Sequence, residues 1–359
     1  MQTLIINPNT SIIALKDEDL TTDKWTNIKV IQFQDKHDHG SGFDESIWER
    51  NRDFLREILL PRTLTSLFLE GHTDTSLIGL PDSLTSLRID DDSTSWNRPI
   101  APGILPPNLK RMIFADSFNQ QIAANSLPST LKFVSFGTDF NQPLHNLPAS
   151  VIKLHLSSRN DHPIGTKQLV ALFHREDLAF TPGEVFSDLT KLHMWAVHEN
   201  EQLPLITSSR FPKLKQLYIG NPLEDGHEPI DLSMLPSTLT DLIVTTNRPI
   251  TAFPTGLVKL NLHHSNPLVQ ITTLPQSLQS LVLIEYQHEL DLSELTSLTS
   301  LSMNAIGHLP HINQLPLHIL RAMYTSSFDD IIHYGFINID TIMSKVSKFK
   351  KHVVQLAIP

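Results

Sequence analysis

Three short runs of histidine and aspartate contain residue types that hold metal ions, namely His37-Asp38-His39, Asp90-Asp91-Asp92 and His263-His264. Imidazole and carboxylate groups are the usual ligands of zinc and calcium sites. Adjacent residues rarely converge on one ion, because successive side chains of an extended segment point to opposite sides. The sequence therefore predicts charged loops or strand ends at these runs, with no metal site and no cofactor.

Patterns that carry covalent catalysis or phosphate chemistry are missing from the chain. There is no cysteine, which excludes disulfides, thiolate metal ligands and a cysteine nucleophile. The patterns G-x-S-x-G, G-x-x-x-x-G-K-[ST], G-x-G-x-x-G and H-E-x-x-H are also absent. We therefore expect a protein that is not an enzyme. The alternative is an enzyme whose site lies in an insertion between repeats.

The elements that must position any site come from an internal repeat, Leu-Pro-x-x-Leu-x-x-Leu-x-Leu. It occurs as Leu60–Leu69 and returns 20 residues later as Leu80–Ile89. Aligned on the first position of L-x-x-L-x-L, which is leucine or another branched apolar residue, the repeats start at 28, 64, 84, 109, 131, 151, 189, 214, 239, 257, 278, 298 and 319. Ten of the twelve spacings lie between 18 and 25 residues, the period of leucine-rich repeats.

The spacing predicts an α/β solenoid that is mostly β, a leucine-rich-repeat horseshoe with a parallel concave sheet and few helices. The L-x-L pair places both apolar residues on one face of a short strand, and stacking on the next turn buries that face. We expect an N-terminal cap with a helix in 1–59, a repeat array over 60–325 and a C-terminal cap over 326–359. The two long spacings predict helices, one at 43–59 and one at 166–177 inside an insertion near 158–186.

The residues between the leucines should form columns on the concave face of the sheet. There the sequence concentrates aromatic and basic side chains, the types that dominate binding interfaces. We predict a partner-binding surface made of Arg111, Phe133, Lys153, His155, Lys191, His193, Trp195 and Tyr218. A solvated wall of the solenoid without a partner is the alternative interpretation.

The repeat resembles the FNIP-repeat branch of leucine-rich-repeat proteins. Its units combine a Leu-Pro-x-Ser-Leu-x-x-Leu core with a Phe-Asn-x-Pro-Ile signature, matched here by Phe118–Ile122 and Phe140–Leu144. Trp96–Ile100 and 247–250 are weaker matches, and the likeness covers about 60–325. The resemblance implies the fold but no particular activity, since no F-box or kinase companion domain is evident. The Leu-Pro turns are also similar to those of bacterial leucine-rich-repeat effectors, and those that ligate ubiquitin use a cysteine.

Charge and hydropathy restrict the partner. The chain has 28 basic and 38 acidic residues, a net charge of −10, which disfavours nucleic acid. No apolar stretch approaches a membrane span, and the N-terminus does not read as a signal peptide. We expect a cytoplasmic interaction scaffold, or one delivered into a host cell, that binds a protein with an acidic surface on its concave face. The alternatives are a carbohydrate- or ligand-binding module on the same face and a secreted effector that modulates a host protein.

Overall fold

The computed structural model describes most of the repeat array and parts of the flanking segments. The described residues are 2–6, 28–33, 60–70, 76–90, 96–157, 160–165, 168–174, 183–194, 203–220, 229–246, 248–263, 271, 273–284, 292, 294–304, 321–325 and 354–357. The chain forms two compact units, Met1–Phe186 and Ser187–Pro359. This division falls inside the stretch that the sequence predicts as one array, and the predicted three-part division stays a prediction.

The first unit is a parallel β-solenoid in which each strand is one rung. Each strand pairs in parallel with the next one along the chain. The strands are β1 (Gln2–Ile6), β2 (Ile28–Phe33), β3 (Ser66–Glu70), β4 (Ser86–Asp90), β5 (Arg111–Ile113), β6 (Phe133–Phe136), β7 (Lys153–Leu156) and β8 (Ala171–His174).

The second unit repeats this arrangement. Its strands are β9 (Lys191–Met194), β10 (Gln216–Ile219), β11 (Ile230–Asp231), β12 (Asp241–Thr245), β13 (Ile250–Ala252), β14 (Lys259–His263), β15 (Ser280–Ile284), β16 (Ser300–Asn304), β17 (Arg321–Thr325) and β18 (Val354–Ala357). Strands β9, β10, β12, β14, β15, β16 and β17 form the parallel sheet, and β18 pairs antiparallel with β17. Strands β11 and β13 form a separate parallel pair.

Within a rung, the three apolar positions of L-x-x-L-x-L form the core. We number these positions 1, 4 and 6 from the first leucine. In the rung of β5 they are Leu109, Met112 and Phe114, all buried. A tight turn precedes each rung: the backbone N–H of Leu84, for example, donates to the carbonyl of Pro81 at 3.0 Å. The strand starts predicted from the leucines are confirmed throughout the described rungs.

Side-chain hydroxyls bind each turn to the one before it. The residue before the first leucine is usually serine or threonine, and its hydroxyl donates to the carbonyl of the preceding rung's first apolar residue. Ser83 does so to Leu64 at 2.6 Å, and Ser150 does so to Leu131 at 2.7 Å. These bonds satisfy carbonyls at the start of the sheet, where the ladder of strand hydrogen bonds has not yet begun.

A second ladder explains the Phe-Asn signature. Phe118 and Phe140 are fully buried, with ring centroids 6.1 Å apart and nearly parallel planes. The following asparagine reaches across to the next turn, because the side-chain oxygen of Asn119 accepts from the backbone N–H of Asn141 at 3.0 Å. The ladder continues one turn beyond the predicted units, where Asp161 donates its N–H to Asn141 at 3.0 Å. The aromatic ring therefore fills the core, while the asparagine side chain accepts a hydrogen bond from the backbone of the next turn.

The predicted helix at 166–177 is wrong, because Ala171–His174 is strand β8, paired in parallel with β7. Leu169 and Leu172 are buried at rung positions 1 and 4. Position 6 is His174, which is 2% exposed where the repeat expects leucine. A further rung therefore starts at 169, which resolves the long gap into spacings of 18 and 20 residues. The apolar spacing fits a short helix equally well, and pairing with β7 decides between them.

The other expected helix, at 43–59, lies outside the described residues. Within the described ranges there is no α-helix, only a 3₁₀ turn at Leu203–Leu205. Accordingly, the described part of the chain has no helix long and apolar enough to cross a membrane. The described residues between the rungs are mostly turns and extended chain, in agreement with the prediction of few helices.

Candidate partner-binding face

The side of the sheet opposite the leucine core carries rung positions 3 and 5, and we call this side the open face. Along β7 the burial alternates, with Lys153 exposed, Leu154 buried, His155 half-buried and Leu156 buried. Because neighbouring rungs are stacked in register about 4.8 Å apart, equal positions form continuous columns. The columns predicted from the sequence are confirmed within each unit.

In the first unit the open face is basic and aromatic. Arg111, Phe133 and Lys153 occupy position 3 of successive rungs and are direct register partners. The guanidinium carbon of Arg111 lies 4.1 Å from the centroid of the Phe133 ring. Arg111 and Lys153 are exposed and Phe133 is half-buried. Stacking uses the flat face of the guanidinium, so that its N–H donors at the edge still point outward.

Position 5 of the same rungs carries a polar–aromatic contact. The hydroxyl of Ser135 and Nδ1 of His155 are 2.8 Å apart, joined by a hydrogen bond across β6 and β7. The His155 ring meets Phe173 of β8 edge to face, with centroids 6.2 Å apart. Phe173 is a surface residue that the sequence did not predict, because its segment was expected to be a helix. The signal was present in the L-x-x-L pair at 169 and 172.

In the second unit, position 5 of the first three rungs on the open face carries aromatic and apolar side chains. His193 of β9 and Tyr218 of β10 are register partners, and their ring centroids lie 3.9 Å apart. The next residue in that column is Ile243, which is 38% exposed. Lys191 is exposed at position 3 of β9. Trp195, the remaining predicted contact residue, lies outside the described residues.

Two aspartates of the second unit form ion pairs with lysines. On the open face, Lys259 Nζ lies 3.3 Å from Asp241 Oδ1 on the neighbouring rung. Nζ of Lys213, in the turn before β10, lies 2.8 Å from Oδ1 of Asp188, in the turn before β9. The hydrogen bond and the charge of Lys213 hold the pKa of Asp188 below its ordinary value.

The three His/Asp runs provide no described metal site. Asp90 ends β4 and His263 ends β14, while 37–39, 91–92 and His264 lie outside the described residues. Among residues whose placement is described, no group of three His, Asp or Glu side chains is arranged to hold an ion. The expectation that the chain has no metal site stays a prediction.

Leucine rungs, a parallel sheet and side-chain ladders together define a β-solenoid of the leucine-rich-repeat class, an architecture suited to a binding scaffold. Residues 96–139 match the model of the FNIP Repeat family, so the predicted resemblance is confirmed over that stretch. This stretch contains the first two steps of the ladder of aromatic rings and asparagine side chains, at Trp96-Asn97 and Phe118-Asn119.

Comparison with solved structures adds a likeness of fold. The chain is similar to CroV588, described as a novel circular LRR protein structure, with 20% sequence identity and a TM-score of 0.48. The match covers 87% of this chain and 55% of that one, so this chain spans about half the length of CroV588. A comparison with curated proteins found no match.

Proposed function

We propose that this chain is a scaffold that binds a protein partner on its open face through an acidic group of the partner. The observation that carries the proposal is the exposed guanidinium of Arg111 stacked on Phe133, with Lys153 on the next rung. A stacked arginine is already ordered, so it loses less side-chain entropy on binding than a free one does. Arginine and aromatic residues are also the types enriched among residues that dominate binding energy.

Charge supports an acidic group as the counterpart. The chain as a whole is negative, at −10, yet the open face of the first unit presents Arg111 and Lys153. Opposite potentials across an interface raise association rates and select among partners. A partner that places a carboxylate or another anion against this column gains an attraction to these two cations.

The second unit supplies an apolar contact of its own. The rings of Tyr218 and His193 are in contact at a tilt of 54°, and the next residue of their column is the exposed Ile243. Burying such a cluster against a partner removes apolar surface from water, which favours the complex. We therefore infer two contact regions, one in each unit, with different chemistry.

The test is to select peptides that bind the full chain from a displayed library and to measure their affinity for variants. We expect the double variant Arg111→Ala and Phe133→Ala to bind about thirtyfold or more less tightly. This factor corresponds to about 2 kcal/mol of binding free energy, which is the loss of a single residue that dominates an interface. Tyr218→Ala tests the second unit in the same way. The matched control is Gln121→Ala, an exposed position in a turn of the first unit.

The control variant should bind as the unaltered chain does. If every selected peptide binds at full affinity both to the double variant Arg111→Ala and Phe133→Ala and to the single variant Tyr218→Ala, the open face is not the binding surface. If a glycan array gives binders that depend on Tyr218 and no peptide does, the chain is a carbohydrate-binding module instead.

We further propose that the chain works in the cytoplasm, its own or that of a host cell. A chain without cysteine does not depend on disulfides and therefore tolerates a reducing compartment. Fractionation of cells that express a tagged chain tests this, and recovery only from the medium would exclude it.

A further inference from the structure

Four cations collect at the start of three consecutive rungs, and we call Lys110, Arg111, Lys132 and Lys153 the basic cluster. All four are exposed. The backbone N–H of Lys132 donates to the carbonyl of Lys110 at 2.8 Å, and that of Lys153 donates to the carbonyl of Lys132 at 3.0 Å. Like charges are therefore held on directly adjacent backbone segments, an arrangement that destabilises a sheet by itself.

Position 2 of the rung, where Lys110 and Lys132 lie, accepts several residue types. In the other described rungs it is threonine at 65, 85, 190, 240 and 299, lysine at 29 and 215, and valine, isoleucine or glutamine elsewhere. A threonine at this position can donate its hydroxyl to the carbonyl of the preceding rung, as Thr85 does to Thr65 at 3.0 Å. A lysine forgoes that hydrogen bond and adds a charge. Packing of the solenoid therefore does not require either lysine.

In the second unit, the charge of a lysine on the open face is neutralised by an aspartate of the same chain. Lys259, at position 3, has Asp241 at position 3 of the neighbouring rung, with 3.3 Å between the charged groups. In the basic cluster the corresponding neighbours of Lys153 are Phe133 and Ala171. Among the described residues none supplies an acidic side chain to the cluster, which leaves its positive charge available to an anionic group of another molecule.

We propose that the basic cluster binds a phosphorylated side chain, phosphoserine or phosphothreonine, of the protein partner. This inference rests on the proposed function and names the anionic group that the partner presents. A phosphoryl group carries about two negative charges and three acceptor oxygens in a small volume, and can take hydrogen bonds from several cations at once. The edge of the stacked Arg111 guanidinium offers a planar pair of donors, which suits phosphate oxygens.

The negative charge of the whole chain favours a compact anion over an extended one. A broadly acidic partner, an anionic bilayer or a nucleic acid would bring its charge close to the rest of a surface that totals −10. Repulsion between exposed charges is screened only beyond about 8 Å at physiological salt. A single phosphorylated residue in an otherwise neutral segment meets the cluster without that penalty.

The test replaces both lysines by threonine, which occupies the same position in five other rungs, in the double variant Lys110→Thr and Lys132→Thr. The probes are three pools of short peptides with random neutral flanks and a fixed central phosphoserine, aspartate or serine. Binding to the full chain is measured by fluorescence anisotropy, and folding by the thermal unfolding midpoint. Arg62→Gln, an exposed cation in the turn before β3, is the matched control for loss of positive charge.

We expect the phosphoserine pool to bind at least about tenfold more tightly than the aspartate pool, because of its extra charge and oxygens. The double threonine variant should lose that preference while its unfolding midpoint stays the same or rises. Arg62→Gln should keep the preference. A variant that unfolds at a lower temperature would show that the lysines have a structural role and would overturn the proposal.

Other outcomes distinguish this inference from the proposed function. If the aspartate and phosphoserine pools bind equally and depend on Arg111 and Phe133, the open face binds protein but the phosphate is wrong. Tighter binding of anionic vesicles or single-stranded RNA, lost in the double threonine variant, would also refute a phosphorylated protein. If peptides that depend on Arg111 and Phe133 bind the double threonine variant undiminished, the lysines are not the anion site.

Discussion

Replacing Asn119 by alanine should destabilise the first unit by about 2 kcal/mol. The side-chain oxygen of Asn119 accepts two hydrogen bonds from the next turn, one from the backbone N–H of Asn141 and one from Nε2 of Gln142, each at 3.0 Å. Both bonds are partly buried. A net hydrogen bond of this kind contributes about 1 kcal/mol, and alanine removes both bonds at once because it removes the one oxygen that accepts them.

The preceding turn provides an internal comparison. The side-chain oxygen of Asn97 accepts the equivalent bonds from Asn119 at 2.9 Å and from Gln120 at 3.0 Å, but both are exposed. Water replaces an exposed partner at little cost, so Asn97→Ala should cost less than about 1 kcal/mol. For a unit of this size, the difference of about 1 kcal/mol corresponds to a shift of about 2–4 °C in the unfolding midpoint.

The assay is urea or thermal unfolding followed by circular dichroism, with Asn119→Asp as the matched variant. Aspartate keeps the acceptor oxygen, and Asp161 already occupies the equivalent position of a later turn, where its Oδ2 accepts from Asn141 at 3.0 Å. We therefore expect Asn119→Asp to be close to the unaltered chain. Equal losses for Asn119→Ala and Asn119→Asp would refute the acceptor role, and equal losses at Asn97 and Asn119 would refute the dependence on burial.

Two further predictions concern a close backbone approach and an ion pair. Gly137→Ala should destabilise the first unit by about 1–3 kcal/mol in urea unfolding, because the added Cβ would lie 2.2 Å from the Cα of Asp116. Gly256→Ala should cost less, because its Cβ would lie 3.1 Å from a carbonyl oxygen. A larger loss for Gly256→Ala than for Gly137→Ala would contradict this reasoning. Lys213→Gln should raise the pKa of Asp188 toward its ordinary value in a carboxyl NMR titration, since the hydrogen bond and the charge of Lys213 lower it. A carboxyl with a lowered pKa stabilises the fold at pH values above its ordinary pKa, and this contribution is lost as the pH falls through the lowered pKa. An unchanged pKa of Asp188 in Lys213→Gln would exclude the ion pair between the two residues.

Most of the fold could be predicted from the leucines because each rung repeats the same physical requirement. Positions 1, 4 and 6 must be apolar for a short strand to bury one face, and this leaves a period that is visible in a single sequence. The requirement is relaxed where one apolar position is replaced, as at His174. With leucine missing there, the remaining run from Leu169 to Phe173 suits a helix or a strand, and only the pairing with β7 fixes the strand.

The candidate site could be predicted as columns of residues but not as contacts. Sequence spacing places Arg111 and Phe133 at the same position of successive rungs, which makes them neighbours. It does not determine that the guanidinium stacks on the ring, because that depends on the side-chain rotamers of both residues. The hydrogen bond between Ser135 and His155 is of the same kind. The sequence therefore predicts which face carries the candidate site, and the structure shows which contacts its side chains make.

Repeats allow a structural requirement to be separated from a functional one within a single chain, provided that each departure from the pattern is tested for compensation. Asn160 stands where Phe118 and Phe140 stand in earlier turns, and it is buried. Its amide donates to the carbonyl of Gln142 at 3.3 Å and its oxygen accepts from the N–H of His162 at 2.9 Å, so the fold satisfies the polar group internally.

Lys110 and Lys132 show no such compensation among the described residues. Lysine also occurs at this position at 29 and 215, but only Lys110 and Lys132 place like charges on adjacent described rungs, and both give up the hydroxyl bond that Thr85 makes there. Packing is enough to explain an internally satisfied residue such as Asn160, whereas adjacent like charges that stay exposed and cost stability are better explained by a contribution from outside the chain. This distinction is why the basic cluster, and not the polar residue in the core, indicates a binding partner.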